Sequence, residues 1–453
     1  MSKRLFGTDG IRATANSFPM TPTIIMKVGQ ALGHLIMKDP SRNNHPKVLI
    51  GKDTRLSGYM VEQALTSGLN SMGVYVQLVG PLPTPGIGFL ARNMRADAGI
   101  VISASHNPFH DNGIKIFGSD GFKISSQLED KIEELVLDTD MDSLLAEGAQ
   151  IGRTKRIEDA AGRYIVDIKN AFPLQHTLDG MRIVLDCAHG AGYKVAPAVF
   201  EELGAEVIIL GNKPNGFNVN DKSGALYPVQ MTEAVVKYRA DVGVSLDGDA
   251  DRVIMADEEG RIVNGDHILA ISALYLKEQD RLPKNTIVAT HMSNFALDVL
   301  MNENGIQVVR TDVGDKNVVE EMRKYGYTLG GEQSGHIIFL EHSTTGDGCV
   351  AALNVLAVMK ATGKKLSVLN DVMKEVPQIL INARVKNRID LNQIEGYVEL
   401  KSSIEKKLKK EGRILVRYSG TENLVRVLVE GPDKKKITDY AQEMASFLEK
   451  QLN

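Results

Sequence analysis

The feature that most constrains this chain is a rhythm. Short runs rich in Val and Ile end in polar or Gly-bearing turns, lead into longer helical patterns, and repeat as a set three times. Lys47 to Asp53 (KVLIGKD) leads into the helical pattern Gly58 to Met72, then into strands at Val74 to Val79 and Ala98 to Ile102. Arg182 to Asp186 (RIVLD) leads through a Gly-rich turn into Val195 to Leu203, then to strands at Glu206 to Leu210 and Asp241 to Leu246. Thr286 to Thr290 (TIVAT) leads into Phe295 to Asn304, then to Gln307 to Thr311. Strands alternating with helices of this length predict βα units around parallel sheets. After about Lys364 the pattern becomes strands at Gln378 to Val385, Arg413 to Arg417 and Val425 to Glu430, then an amphipathic helix from Lys434 to Leu452. The predicted class is α/β: three similar α/β domains (1–152, 153–259 and 260–364) and a smaller C-terminal α+β domain (365–453) around a central cleft.

Composition narrows the function classes. A chain of 453 residues with 43% hydrophobic content can build several cores without disulfides. The net charge of −4 provides no global basic field, so neither nucleic acid nor an anionic membrane is an expected partner. Cys187 and Cys349 are far apart and in no metal-ligand spacing, which fits a reducing compartment. With no signal-peptide pattern and no run of about 18 apolar residues, the cytoplasm is the expected location. The run Glu405 to Lys410 (EKKLKK) lies on a helical pattern and reads as a solvated face.

Four polar loops carry the candidate chemistry. In ISASHNPFHDNGIKIF (Ile102 to Phe117), a strand runs into Ser105, His106, Asn107 and Pro108. Such a serine is either the cap of a turn or, with a base or metal beside it, a nucleophile at the strand end where α/β folds place ligands. The GxSxG elbow of serine hydrolases is absent. In SLDGDADR (Ser245 to Arg252), Asp247, Asp249 and Asp251 alternate directly after a strand. Crowded carboxylates repel unless a cation sits between them, and a three-carboxylate set suits Mg²⁺ completed by a phosphate oxygen. An EF-hand is excluded because Arg252 stands where that loop needs Gly.

In GGEQSGH (Gly330 to His336), Glu332, Ser334 and His336 alternate after a short strand at Tyr327 to Leu329. In an extended loop they point one way, toward sugar hydroxyls. TDVGDK (Thr311 to Lys316) is a second polar loop upstream. RYSGTE (Arg417 to Glu422) reads either as a plain hairpin turn or as an anion nest of Ser419, Thr421 and the backbone N–H groups around Gly420, where Arg417 and Arg426 would add charge-assisted bonds to a phosphate. The spacing of a Walker A loop is missing. A nucleophile, a cation site, a sugar grip and a phosphate grip together describe phosphoryl transfer on a sugar phosphate.

With GTDGIR (Gly7 to Arg12) and GKDTRLSG (Gly51 to Gly58), these motifs follow in order along the whole chain, which thereby resembles the α-D-phosphohexomutase superfamily. GEQSGH is the form associated with its glucosamine enzymes, whereas phosphomannomutase and phosphoglucomutase relatives often carry Met in place of Gln333. The resemblance implies that Ser105 is phosphorylated in the active enzyme and that its phosphate oxygen with Asp247, Asp249 and Asp251 holds one Mg²⁺. Arg12 matches an arginine near the phosphoserine, Lys115 the proposed general base or acid, and Arg252 an arginine beside the metal loop. His336 and His106 are further candidates for proton transfer. Glu332 and Ser334 match sugar-hydroxyl contacts, and Arg417, Ser419, Gly420, Thr421 and Arg426 match the loop that holds the non-reacting phosphate. The implied reaction interconverts glucosamine 6-phosphate and glucosamine 1-phosphate through a hexosamine 1,6-bisphosphate, which also serves as primer. The product feeds UDP-N-acetylglucosamine and cell-wall precursor synthesis.

A base such as Lys115 would need a lowered pKa, which Arg12 and Mg²⁺ would encourage. Three positions depart from the family pattern: Ala13 for Gly, Asn423 for Pro, and Lys316 for the Arg expected after VGD. The last loses a planar fork and puts a bidentate contact in doubt. Alternatives are a phosphomannomutase or phosphoglucomutase, a non-catalytic sugar-phosphate sensor, and a phosphatase that loses the bisphosphate to water. The general base stays open between Lys115 and His336, and the oligomeric state stays open, a homodimer included.

Overall fold

A computed structural model describes residues 5–7, 9–39, 45–409, 411–419 and 423–453. Three sheets repeat one plan. In the first, Lys47–Lys52 runs parallel to both Tyr75–Pro81 and Ala98–Ile102, and Asp111–Gly118 returns antiparallel to the latter. In the second, Arg182–Asp186 is flanked by the parallel strands Glu206–Leu210 and Val242–Leu246, and Val253–Asp257 is the antiparallel return. In the third, Thr286–Thr290 is flanked by Gln307–Thr311 and Leu329–Gly331, and Ile337–Phe339 returns. The repetition read from the sequence is therefore a repetition of topology. In each domain one loop joins the last parallel strand to its antiparallel return, and these loops carry Ser105, the three aspartates, and Glu332 to His336.

Helices cover both faces of the parallel cores, so the inner strands read as continuous apolar runs instead of alternating. Every residue of Ala98–Ile102, Val242–Leu246 and Thr286–Thr290 is buried. One core extends through all three domains, from Leu49 to Met373, and a second covers the other face of the first sheet. The first sheet also takes an edge strand, Thr154–Arg156, from beyond residue 152.

The C-terminal domain is an antiparallel sheet ordered Gln378–Arg384, Leu424–Glu430, Arg413–Tyr418. The helix Lys434–Leu452 starts where Asp433 accepts from the Lys435 and Lys436 N–H groups, and it buries Ile437, Ala441, Met444, Leu448 and Leu452 at helical spacing. This domain has a separate core. Its connection to the third domain is polar: Arg413, paired with Glu430, donates to the carbonyls of His291 (3.0 Å) and Ser293 (2.5 Å), and Glu430 accepts from Phe295 N–H (3.0 Å).

The strand expected at Tyr327 to Leu329 lies instead at Leu329–Gly331. Pairing on both sides, with Thr286–Thr290 and Ile337–Phe339, overrides the turn signal of Gly330 and Gly331. Glu405, Lys406 and Lys407 are exposed on the helix Tyr397–Leu408, as the solvated-face reading requires. Among the described residues no helix is long and apolar enough to cross a membrane.

Candidate active site

The serine loop is held from below. Ser105 adopts φ +51°, a left-handed conformation that costs a residue with a Cβ about 1 kcal/mol or more. Its N–H donates to Ser103 Oγ (2.9 Å), which donates to Asp53 (2.6 Å). Arg55, itself buried, binds Asp53 and donates to the carbonyls of Ser105 (2.9 Å), Asn107 (2.8 Å), Asp111 (3.1 Å) and Pro108. From the second domain, Asn220 donates to the Ser105 carbonyl at 2.8 Å. These bonds fix the backbone and leave the Ser105 hydroxyl to donate to Asp247 Oδ2 at 2.7 Å.

The aspartate loop passes directly beneath. A Cβ on Gly248 would stand 2.5 Å from the Ser105 carbonyl, so only glycine permits this approach. Asp247, Asp249 and Asp251 are buried, and one oxygen of each lies within 4.8 Å of the others. Asp249 Oδ2 accepts from Thr84 Oγ1 (2.7 Å) and from Lys115 (2.9 Å), and Asp251 Oδ2 also accepts from Lys115 (3.1 Å). Their Oδ1 atoms have no hydrogen-bond partner. Burial first, then the charges of Asp251 and Asp249, hold the Asp247 carboxyl well above the ordinary carboxylate range. Three buried carboxylates that converge within one ion's reach, two of them with an oxygen that makes no hydrogen bond, fit a hard divalent cation.

Lys115 projects from the return strand, paired with Val101, into this cluster. In the metal-free site burial lowers the Lys115 pKa, but Asp249, Asp251 and Asp9 together raise it well above the ordinary lysine value. Asp9 lies 3.3 Å from Lys115 and also pairs with Arg12. His336 Nδ1 is 3.6 Å from Asp251, and Nε2 is 3.4 Å from Asp315 and accepts from Gly346 N–H at 3.0 Å. Burial lowers the His336 pKa, but Asp251, Asp315 and Glu332 together raise it by more, for a net upward shift. His106 Nδ1 is 3.5 Å from Ser105 Oγ; burial, then Arg252 and Arg12, push this imidazole down to about 4. Arg252 Nε is 3.9 Å from Asp251. Thus Ser105, His106, Arg12, Lys115, Arg252, His336 and the three aspartates meet at one junction of three domains.

The sugar loop is not extended. Gly335, at φ +92°, closes a turn in which its N–H donates to the Glu332 carbonyl at 3.0 Å. Instead of pointing one way, His336 turns inward to Asp251 while Ser334 is exposed and donates to Glu332 at 3.1 Å. Glu332 also accepts from Gly314 N–H (3.0 Å), which binds the TDVGDK loop to it. Lys316 does not face the site; it reaches Ser126 (2.9 Å) and Glu129 (3.1 Å) across the domain boundary.

In the C-terminal domain Arg417 and Arg426 stand directly opposite on paired strands, with Arg417 contacting Met292 of the third domain at 3.9 Å. Burial, then Arg426, lower the Arg417 pKa. Two like charges across an antiparallel pair repel, and a bound anion relieves the repulsion. Ser419 is buried beside them, with its N–H on the Leu424 carbonyl (2.8 Å). Gly420 and Thr421 lie outside the described residues.

Reading the sequence assigned no role to Asp53, Arg55, Thr84, Asn220, Asp9, Lys123 or Asp315. The signal for four of them was present: Asp53 and Arg55 belong to GKDTRLSG, Asp9 to GTDGIR and Asp315 to TDVGDK.

Comparison with known proteins agrees along the whole chain. Residues 3–142, 162–260 and 264–376 match the phosphoglucomutase/phosphomannomutase alpha/beta/alpha domains I, II and III, and residues 380–447 match the C-terminal domain of that family. The phosphoglucosamine mutase of Bdellovibrio bacteriovorus is 68% identical over 452 residues, covering 99% of both chains. A crystal structure of a phosphoglucomutase/phosphomannomutase family protein from Burkholderia thailandensis superposes with a TM-score of 0.80 at 22% identity, covering 100% of this chain and 99% of that one. Aspergillus fumigatus N-acetylphosphoglucosamine mutase, solved in complex with GlcNAc-6P and magnesium, shares the fold with a TM-score of 0.67 at 18% identity, covering 99% of this chain and 96% of that one. With four domain matches in order and a relative this similar over its full length, the chain belongs to the phosphoglucomutase/phosphomannomutase family, the α-D-phosphohexomutases.

Proposed function

We propose that this protein is an isomerase of the phosphoglucosamine mutase type, interconverting glucosamine 6-phosphate and glucosamine 1-phosphate through a phosphoserine at Ser105 and a 1,6-bisphosphate. One observation carries the mechanism: the Ser105 hydroxyl donates into a buried triple of aspartates in which two carboxylate oxygens make no hydrogen bond, with Lys115 beside them. The choice of amino sugar rests on the full-length similarity to phosphoglucosamine mutases.

Asp247, Asp249 and Asp251, with an oxygen on Ser105, would hold Mg²⁺, which when bound neutralises charge on the transferring phosphoryl group. In the first half-reaction the bond from phosphorus to Ser105 Oγ breaks while one forms to the free sugar hydroxyl, whose proton leaves to whichever of Lys115 and His336 is neutral; a cation on the three aspartates would cancel the carboxylate charge that otherwise keeps both protonated. Both face Asp251. Arg12 and Arg252 add positive charge around the phosphoryl oxygens. Glu332 and Ser334 bind sugar hydroxyls, and Arg417, Ser419, Gly420, Thr421 and Arg426 hold the phosphate that is not reacting. The bisphosphate then turns end for end, its other phosphoryl group passes to Ser105, and the isomeric monophosphate leaves. The C-terminal domain, with its own core and a polar connection, is the part free to open for that turn.

The proposed division is 1–152 for the serine loop, 153–259 for the metal loop, 260–364 for the sugar loop and 365–453 for the phosphate loop, with Thr154–Arg156 reaching back onto the first sheet. Two free, buried cysteines fit a cytoplasmic location. The partners are small sugar phosphates, and a homodimer is the oligomer to test. The deciding experiment supplies phosphorylated protein and Mg²⁺ with the 6-phosphates of glucosamine, glucose and mannose, and follows 1-phosphate formation by ³¹P NMR. Fastest conversion of the glucosamine ester, lost in Ser105→Ala, is expected. Conversion of the mannose or glucose ester alone would overturn the substrate, and phosphate release without isomer would replace the mutase with a phosphatase.

A further inference from the structure

Lys123 lies outside the loops that carry the proposed chemistry, yet its ammonium occupies a place that no other described side chain fills. It bonds Asp9 Oδ1 on one side and Asp315 Oδ2, at 2.5 Å, on the other. Asp9 uses its second oxygen to reach Lys115 at 3.3 Å, and Asp315 reaches His336 Nε2 at 3.4 Å. Lys115 and His336 then meet on Asp251, at 3.1 and 3.6 Å. The contacts close a circuit in which nitrogen bases alternate with carboxylates: Lys115, Asp251, His336, Asp315, Lys123, Asp9 and back to Lys115.

The circuit draws on all three α/β domains. Asp9, Lys115 and Lys123 belong to the first, Asp251 to the second, and Asp315 and His336 to the third. Lys123 is seated by a backbone bridge to Phe117, on the same strand as Lys115, and its side chain is mostly buried. The two candidates for proton transfer thus come from different domains and meet on Asp251; Lys115 is also held by Asp249 and Asp9, and His336 has Asp315 beside it. Lys123 joins Asp9 to Asp315.

We propose that Lys123 is a positioning residue for phosphoryl transfer: by clamping Asp9 to Asp315 it holds Lys115 and His336 in register on either side of Asp251. The inference rests on the mutase reading above. A lysine that only glued domains together would contribute to stability and leave turnover per folded molecule unchanged. A positioning lysine acts on kcat, because displacement of reacting groups by about 1 Å costs about 10²-fold in rate.

The test measures kcat, KM, phosphoserine occupancy and the urea midpoint for full-length wild type, Lys123→Met and Lys123→Arg, with glucosamine 6-phosphate and Mg²⁺. The expected result for Lys123→Met is a kcat lower by about 100-fold with KM changed by less than about 3-fold, and for Lys123→Arg a return to within about 10-fold of wild type. Should Lys123→Met fail to fold, the charge-compensated pair Lys123→Met with Asp315→Asn is measured in its place, with the same kcat loss expected. A lower urea midpoint with kcat within about 3-fold of wild type overturns the proposal and leaves the mutase reading intact. Lys123→Arg as slow as Lys123→Met also counts against it. A wild-type protein that isomerises no hexosamine phosphate overturns the mutase reading and this proposal together.

Discussion

Arg55 never touches a reacting atom in the proposed mechanism, yet its replacement by lysine should slow the enzyme severely. The residue is 1% exposed, and its guanidinium donates to Asp53 Oδ2 at 2.7 Å and to four carbonyls of the serine loop. Lysine can keep the charge beside Asp53 but cannot present a planar fork, so most of the carbonyls lose their donor. Hydrogen bonds to a charged group are worth about 1.5–3 kcal/mol each, and breaking a buried pair outright costs about 3–5 kcal/mol, so Arg55→Lys should lose about 2–4 kcal/mol of stability. The same bonds help hold Ser105 at φ +51°, and without them its carbonyl keeps only the Asn220 donor, a weaker hold on a strained conformation. Movement of Ser105 Oγ by about 1 Å predicts a kcat lower by about 10²-fold with KM within about 3-fold. Steady-state kinetics on phosphorylated protein, with phosphoserine occupancy measured by mass spectrometry and stability by urea unfolding, separates the two effects. Loss of the expected stability together with a native kcat would refute the reasoning, because the loop would then hold its geometry without the fork.

Three further outcomes follow from the geometry. Arg417→Ala should raise KM for the sugar phosphate by about 10- to 100-fold with a smaller effect on kcat, since it removes a charge-assisted bond of about 1.5–3 kcal/mol to the non-reacting phosphate; an unchanged KM would move the phosphate elsewhere. Mg²⁺ at about 100 times its Kd should stabilise chelator-treated protein by about 2.7 kcal/mol, seen as a higher Tm, and Asp249→Asn should weaken that response; a Tm indifferent to Mg²⁺ would remove the cation from the aspartate site. Asp347 caps the helix Gly348–Thr362 and accepts from Tyr164 at 2.6 Å, yet burial outweighs these bonds and pushes its carboxyl from 3.8 up to about 6. Because its folded pKa is raised, its stabilising contribution is complete below about pH 4 and lost as pH rises through about 6, so Asp347→Asn should gain stability relative to wild type between pH 4 and 7. Equal slopes of stability against pH for the two proteins would show that this carboxyl does not titrate there.

The fold was legible because its signals are local. Val and Ile runs bounded by Gly and polar turns mark strands regardless of what packs on them, and covering both faces of a parallel sheet makes those runs continuous, as at Ala98–Ile102 and Val242–Leu246. The failure at Gly330 and Gly331 has the same origin. Their local signal is a turn, and only pairing with Thr286–Thr290 on one side and Ile337–Phe339 on the other makes them strand. Sequence periodicity also suggested that Glu332, Ser334 and His336 share a face, which holds in an extended chain and fails once Gly335 turns it.

The site divides along a similar line. The meeting of Ser105 with the aspartate triple was open to sequence reading because each packs its chemistry into a few consecutive residues, where the repulsion of like charges is visible without a structure. The side chains that hold those loops in place carry no such mark. Arg55 lies in GKDTRLSG, but the motif does not show its five acceptors, four of them about fifty residues away. Lys123 has partners 114 residues before it and 192 after it in the chain. The acidic surroundings of Lys115 were hidden for the same reason: Arg12 was foreseen beside it, whereas the contacts of its ammonium with Asp249, Asp251 and Asp9 exist only once three loops converge. Groups that react can be concentrated in a motif, because one loop can present them all. Groups that position must come from whatever surrounds that loop in space, so their partners are scattered through the sequence and emerge only with the tertiary contacts.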